Sequence, residues 1–368
     1  GLMPHSLSTR TRDTSVTGPP IRCEVIVLFL NRPSEVGTQP PRAAFLMPSL
    51  VLLLLLAAGL SVAIGPVRLD AERLLAALGL HGDRIAHAIV IDLRLPRMMA
   101  AALVGAMLGL SGGVLQGYLR NPLAEPSVLG ASNAAALGAV IALYFGLSEL
   151  HAAVLPILAI VAALGALALL FMLSGRSESP LTLILAGIAV STLAGAGISL
   201  ALNLSPNPFA AMEIMTWLLG SVENRTFSHV WIALPCVGIG AFLLAGCGQP
   251  LDALSLGEDA ARSMGVDLAR LRLRILAGVA IGVGGAVAVS GAIGFVGLIV
   301  PHLMRPFTDR SPSAVLLPSM VAGAVLLLLA DVLVRVAPTT NELKLGVVTA
   351  FLGVPVFLVH LMRERRLW

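Results

Sequence analysis

Residues 97–119 read RMMAAALVGAMLGLSGGVLQGYL, and this stretch decides the fold. No charged residue follows Arg97 until Arg120. A helix needs about 20 apolar residues to cross the hydrocarbon core of a bilayer. This one run supplies them. Gly105, Gly109, Gly112 and Gly113 recur within it at short helical spacing. Small residues spaced this way let helix backbones approach closely inside lipid.

The rest of the chain repeats the pattern. Of the 368 residues 57% are hydrophobic and 12% are charged, with mean hydropathy +0.93. Soluble domains carry about 25% charged residues, so these charges are too few to coat a soluble surface of this size. Ten candidate spans follow one another at 48–65, 97–119, 127–147, 152–173, 180–203, 229–247, 270–290, 294–308, 312–335 and 343–362. The runs are continuous rather than short and alternating, which excludes a transmembrane β-barrel and leaves helices. The reading is an all-α polytopic membrane protein. The eighth run is short and carries Pro301, the pattern of a broken helix enclosed by protein.

Gly278, Gly282, Gly284 and Gly285 give the seventh span a glycine pattern like that of the second. The two spans run in opposite directions on this topology, which suggests an inverted repeat. Arginines favour the loops read as cytoplasmic, most densely at Arg363, Arg365 and Arg366 after the last span. That bias places both termini in the cytoplasm. Residues 1–46 are rich in Pro, Ser, Thr and Arg, and their one apolar run is too short to span. They read as a disordered or foreign extension, with the membrane domain at 47–368 and Met47 as a candidate start.

The chemistry is spare. Cys23, Cys236 and Cys247 share no metal-ligand or redox spacing, and the seven histidines show no paired zinc spacing. His302 reads as structural. The charge of +4 is spread over short loops and does not form a nucleic-acid face. No nucleophile, base or metal cluster supports an enzyme, and no cofactor is expected. Lys344 is the only lysine, and no glycine-rich phosphate loop precedes it. ATP-driven work would therefore need a second protein chain. An ion-gradient carrier is the alternative, but such carriers place acids along the path, and only Asp331 lies near a span.

Five stretches, in order, carry a resemblance. They are Arg94-Leu-Pro-Arg97, Gln116-Gly-Tyr-Leu-Arg-Asn-Pro-Leu-Ala-Glu-Pro-Ser-Val-Leu-Gly130, Leu256-Gly-Glu-Asp-Ala-Ala-Arg-Ser-Met-Gly265, Gly291-Ala-Ile-Gly-Phe-Val-Gly-Leu-Ile-Val-Pro-His302 and Leu345-Gly-Val-Val-Thr-Ala-Phe-Leu-Gly-Val-Pro355. Over residues 48–366 the chain resembles the iron-siderophore, haem and cobalamin permeases of type II ABC importers. The resemblance implies ten helices per subunit and a homodimer in the bacterial inner membrane. It also implies two ATP-binding subunits inside, a periplasmic binding protein outside and a metal chelate as cargo. Ferric siderophore is the leading cargo, with haem and cobalamin as alternatives.

Residue roles follow from the same resemblance. Asn121 and Leu123 match the cytoplasmic gate. Leu256, Gly257, Glu258, Asp259, Ala260, Ala261, Arg262, Met264 and Gly265 match the helix that couples to the ATPase. Acids in its first turn also favour a helix N-terminus there. Arg94 and Arg335 match arginines that receive carboxylates of the binding protein, to which the guanidinium fork is suited. Arg97 is a weaker docking candidate that could instead snorkel to the interface. An i,i+4 pair between Asp331 and Arg335 is the competing structural reading of Arg335.

Overall fold

The computed structural model describes residues 41–67, 69–75, 77, 84–151, 153–175, 179–338 and 342–364. Most of the N-terminal extension, Cys23, and Arg365 and Arg366 of the orientation pattern lie outside the described residues. Ten principal helices follow the ten apolar runs. They are α1 (Pro41–Ala63), α2 (Leu95–Tyr118), α3 (Ala131–Tyr144), α4 (Val154–Ser174), α5 (Pro180–Asn203), α6 (Phe227–Ala245), α7 (Leu268–Ser290), α8 (Val296–Met304), α9 (Pro312–Val336) and α10 (Leu345–Glu364). Helix α1 begins six residues before Met47, so the expected boundary falls inside a helix.

Helix starts are written in the sequence. Proline occupies the first turn of α2, α5 and α9, where its missing N–H costs no hydrogen bond. The Asp267 side chain accepts from Arg270 N at α7, and Ser311 accepts from Ala314 N at α9. Each satisfies an amide the helix leaves open. Gly130, at φ +78°, turns the chain into α3. A Cβ there would lie 2.7 Å from Val190 Cγ1.

Seven helices among the described residues are long and apolar enough to cross a membrane. Helices α3 and α10 form shorter apolar segments, and α8 has nine residues with Pro301 inside it. Of the ten expected spans, seven are thus full-length helices. The short eighth matches the broken helix its proline implied.

Burial sorts the helices. The most apolar windows of α2, α7 and α9 are 72%, 78% and 61% buried, against 17–28% for α1, α4, α5 and α6. The first group forms the protein centre; the second turns residues such as Leu52, Leu55, Leu185 and Phe242 outward, as lipid-facing helices do. Glycine permits the central crossings. A Cβ on Gly105 would fall inside contact distance of the Gly323 carbonyl, and one on Gly323 would do the same to Gly105. Gly109 faces Ser319 and Gly117 faces Pro312. Partner numbers fall along α9 as they rise along α2, so the two helices are antiparallel. In α7, Gly278 packs on Leu244, Gly282 on Gly240 and Gly285 on Cys236, all of α6. Both glycine sets serve close packing.

Two helices of eight or more residues outside the expected set connect the spans, Pro208–Leu218 and Gly248–Ser255. The first begins with Asn207 accepting from Ala210 N, followed by Pro208.

Candidate functional site

Helix α2 has a cluster of candidate residues at each end. Its 24 residues, at about 1.5 Å each, hold the two roughly 35 Å apart. That exceeds a hydrocarbon core of about 30 Å.

At the first end, a π-helical turn, Ala88–Arg94, leads into α2. Arg94 is 4% exposed. Its Nη1 donates to Val62 O at 2.8 Å and Ala63 O at 2.7 Å, and its Nη2 donates to Val67 O. These carbonyls end α1 or follow it, where helical partners have run out. Arg94 thus caps α1, with a cation at the negative end of its dipole. Gly65 makes room: a Cβ there would lie 2.8 Å from the guanidinium.

Arg97 and Arg335 meet on Asp331. Arg97 Nε and Nη2 donate to Asp331 Oδ1 at 2.9 and 2.8 Å. Arg335 Nη2 donates to Asp331 Oδ2 at 2.6 Å, and its Nη1 donates to Ser61 O and Ile64 O at 2.8 Å each. The other edge of Arg97 is taken by Glu342: Nη1 donates to Oε2 at 3.3 Å, and Nη2 donates to Oε1. Two residues on, Lys344 Nζ donates to Glu223 Oε2 at 2.8 Å. Arg94, Arg97, Arg335, Glu342 and Glu223 border a cleft of about 450 Å³ lined also by Arg225, Asn224 and Thr226. Arg225 Nε is buried without a hydrogen-bond partner among the described residues. Burial lowers the Arg225 pKa, and the Glu223 carboxylate offsets part of that. Among its lining residues four cations (Arg94, Arg97, Arg225, Arg335) face two anions (Glu223, Glu342), so the cleft carries excess positive charge.

Arg94 and Arg335, expected to receive carboxylates of a binding protein, both hydrogen-bond to carbonyls of this chain. The i,i+4 pair of Asp331 with Arg335 is present. Arg97, expected to be weaker, keeps a side chain 11% exposed at the cleft. Asp331, by contrast, is 1% exposed and holds two arginines. A carboxylate fixed this way has no free edge for a travelling cation or proton, which weakens the ion-gradient alternative.

At the second end, α2 stops in a tight turn. Arg120 adopts φ +48°. Asn121 Oδ1 accepts from Leu123 N at 2.9 Å, and Asn121 O accepts from Ala124 N at 3.1 Å. Such an Asx turn fixes a polar loop without helix. It leaves Leu123 40% exposed. Leu123, Pro122, Leu298, Ile299, Val356 and Phe357 line a small apolar hollow between this turn, α8 and α10. Beside it, Gln116 is 2% exposed. Its Nε2 donates to Leu298 O at 3.1 Å, and its Oε1 accepts from Arg305 Nη2 at 2.9 Å. An amide inside an apolar run was the signal that could have marked Gln116. Arg305 gave none.

The stretch expected to couple to an ATPase lies at this same end. Gly257, at φ +112°, precedes the helix Glu258–Ser263, and Met264 and Gly265 follow it. Glu258 and Asp259 fill the first turn, and Arg262 lies in the last. Ala260 shares the helix, and Ala261 anchors it with 0% exposure. Leu256 and Met264 point outward, 70% and 63% exposed. Arg120 Nη2 lies 3.5 Å from Glu258 Oε1. The proposed gate and coupling stretch are therefore neighbours, one residue from contact through Arg120. Helix α7 starts beside them and ends near the cleft, where Ser290 O accepts from Ser221 N. It thus runs opposite to α2, as the topology required.

Comparison with known proteins agrees with this architecture. The FecCD transport family profile matches residues 52–363. An uncharacterized ABC transporter permease protein, YvrB of Bacillus subtilis, is 40% identical over 283 residues, covering 76% of this chain and 80% of that protein. The vitamin B12 import system permease protein BtuC of Salmonella typhimurium is 38% identical over 319 residues, covering 86% and 95%. Among solved structures, a metal-chelate type ABC transporter in an inward-facing conformation superposes with a TM-score of 0.77 at 33% identity. It covers 87% of this chain and 99% of that one.

Proposed function

This chain belongs to the FecCD transport family of ABC importer permeases, and from that premise we propose that it carries an intact metal chelate from periplasm to cytoplasm as one half of a homodimer. The single observation that carries the reading is the division of labour along α2. A charged cleft sits at one end, and an apolar hollow beside a short helix with exposed Leu256 and Met264 flanking it sits at the other. In this reading the Arg97 end faces the periplasm and receives the binding protein. The Asn121 end faces the cytoplasm, where Leu256 and Met264 offer apolar contacts to an ATPase. Both termini are then cytoplasmic.

Within that reading Asn121 and Leu123 form the gate, because the Asx turn holds a hydrophobic side chain out from the helix end. Residues 256–265 transmit ATPase movement, with Arg120 bridging to the gate. Arg97 is the docking arginine with an accessible edge. Arg94 and Arg335 act on docking by holding α1 and α9 beneath it. The cargo class is a metal chelate. Ferric siderophore leads, and the name of the Salmonella relative supports testing cobalamin beside it, with haem third.

The test is uptake by proteoliposomes containing this chain, its cognate ATPase and its binding protein. Labelled ferric siderophore, cobalamin and haem would be offered in competition. ATP-dependent accumulation of one chelate, blocked by omission of the binding protein, is expected. Accumulation of none of the three, with a functional ATPase present, would refute the cargo class.

A further inference from the structure

We propose that Glu342 is an internal stand-in for the binding protein's carboxylate, occupying Arg97 until docking displaces it. The inference rests on the docking reading above and adds a residue and a mechanism to it.

The geometry separates two carboxylates on one guanidinium. Asp331 holds the Nε/Nη2 edge of Arg97 and also Arg335, and its side chain is 1% exposed. Both its oxygens are used, and no solvent path reaches them. It is the fixed partner. Glu342 holds the Nη1/Nη2 edge, is 19% exposed and borders the cleft. It lies on a short non-helical segment before α10, not inside a helix. Of the two, it is the partner that can leave.

An arginine with one permanent and one exchangeable carboxylate suits a docking surface. A buried guanidinium left unpaired is costly. Exchange of one carboxylate for another avoids that state at both stages. The displaced Glu342 finds water in the cleft, whose excess positive charge remains to attract the incoming acid. The segment has a second tether, the Lys344–Glu223 pair. It opens α10, whose Val356 and Phe357 border the gate hollow with Leu123. Release of Glu342 therefore acts on a helix that reaches the other side of the membrane.

The competition predicts that removing Glu342 improves docking. Association of the cognate binding protein with the assembled permease–ATPase complex in nanodiscs would be timed for wild type, Glu342→Gln, Arg97→Ala and Lys344→Gln. Glu342→Gln should raise the association rate roughly two- to fivefold, the range for one partly exposed ion pair. Arg97→Ala should lower it. Lys344→Gln, which loosens the same segment without freeing Arg97 and removes a cation, should not raise it. Retained ATPase assembly shows that each variant is folded. If Arg97→Ala slows docking but Glu342→Gln does not speed it, the stand-in is refuted and the docking reading survives. If Lys344→Gln speeds docking as much as Glu342→Gln, segment mobility and not charge competition is responsible, and the proposal falls. If Arg97→Ala has no effect on docking, the docking role of Arg97 and the proposal fall together.

Discussion

At its Arg97 end, α2 is fastened by buried ion pairs; at its Asn121 end, by an Asx turn, an amide bridge and one half-exposed ion pair. Arg94, Arg97 and Arg335 bind carbonyls and carboxylates from α1, α9 and the segment before α10. These groups are nearly dry, so each contact is strong and each loss leaves an ion without a partner. The other end has an Asx turn, the Gln116 amide bridge and a half-exposed Arg120–Glu258 pair at 3.5 Å. Exposed contacts such as the Arg120–Glu258 pair break at little cost. A permease that hands cargo from a docked protein to a moving gate benefits from this contrast. One end must hold its shape while a partner lands, and the other must rearrange with each cycle.

The largest expected effect comes from breaking the charged end. Asp331→Ala leaves Arg97 and Arg335 facing each other in a dry site. Removing one partner of a buried pair costs about 3–5 kcal/mol. The purified variant should show a clearly lower unfolding temperature in detergent and poor membrane yield. A wild-type melting profile would show that the network contributes nothing.

The next effect tests the crossing between the two ends. Gly105→Val places a branched side chain against the Gly323 carbonyl. Overpacking of this kind costs about 1–3 kcal/mol. Differential scanning calorimetry of the variant should register that loss, whereas Gly165→Ala, with open space around its Cβ position, should melt like wild type. Equal melting of the two would contradict the antiparallel α2–α9 contact.

Much of this was legible before any coordinates. Long apolar runs fixed the position and type of seven spans because hydropathy is local. Pro301 announced the short α8. The helix Pro208–Leu218 was missed although Asn207 and Pro208 form a readable start, because its eleven residues fall short of a span. The coupling helix was readable from Gly257 and its two acids. The charged cluster was not. Arg97 lies 234 residues from Asp331 and 245 from Glu342, and Lys344 lies 121 from Glu223. Helical spacing reveals only partners three or four residues apart, so it offered Asp331–Arg335 and nothing more. The same distance explains why the sequence did not show that carbonyls at the end of α1 hold Arg94 and Arg335. Their carbonyl partners on α1 leave no trace in residue type.

The smallest effect on stability should fall at the Asn121 end, where the effect on transport is large. The double change Glu258→Arg with Asp259→Arg reverses the charge of the first turn of the coupling helix. Both groups are outside the membrane-spanning helices, so the melting temperature should move by no more than a degree or two, in line with exposed charges worth about 0.2–1 kcal/mol. Co-purification with the ATPase should drop. Arg120→Gln should retain that assembly while lowering the chelate moved per ATP hydrolysed. Intact assembly and transport in the double variant would remove this helix from the coupling path.

The measurement closest to the central claim separates energy sources. Uptake of the cognate chelate would be followed in proteoliposomes holding this chain with its ATPase and binding protein, first with ATP and then with only a proton or sodium gradient. A chain with no phosphate loop and its one core acid fixed between two arginines should move cargo only when the partner hydrolyses ATP, and should neither bind nor hydrolyse ATP by itself. Gradient-driven uptake by the chain alone, with no ATPase present, would contradict the account.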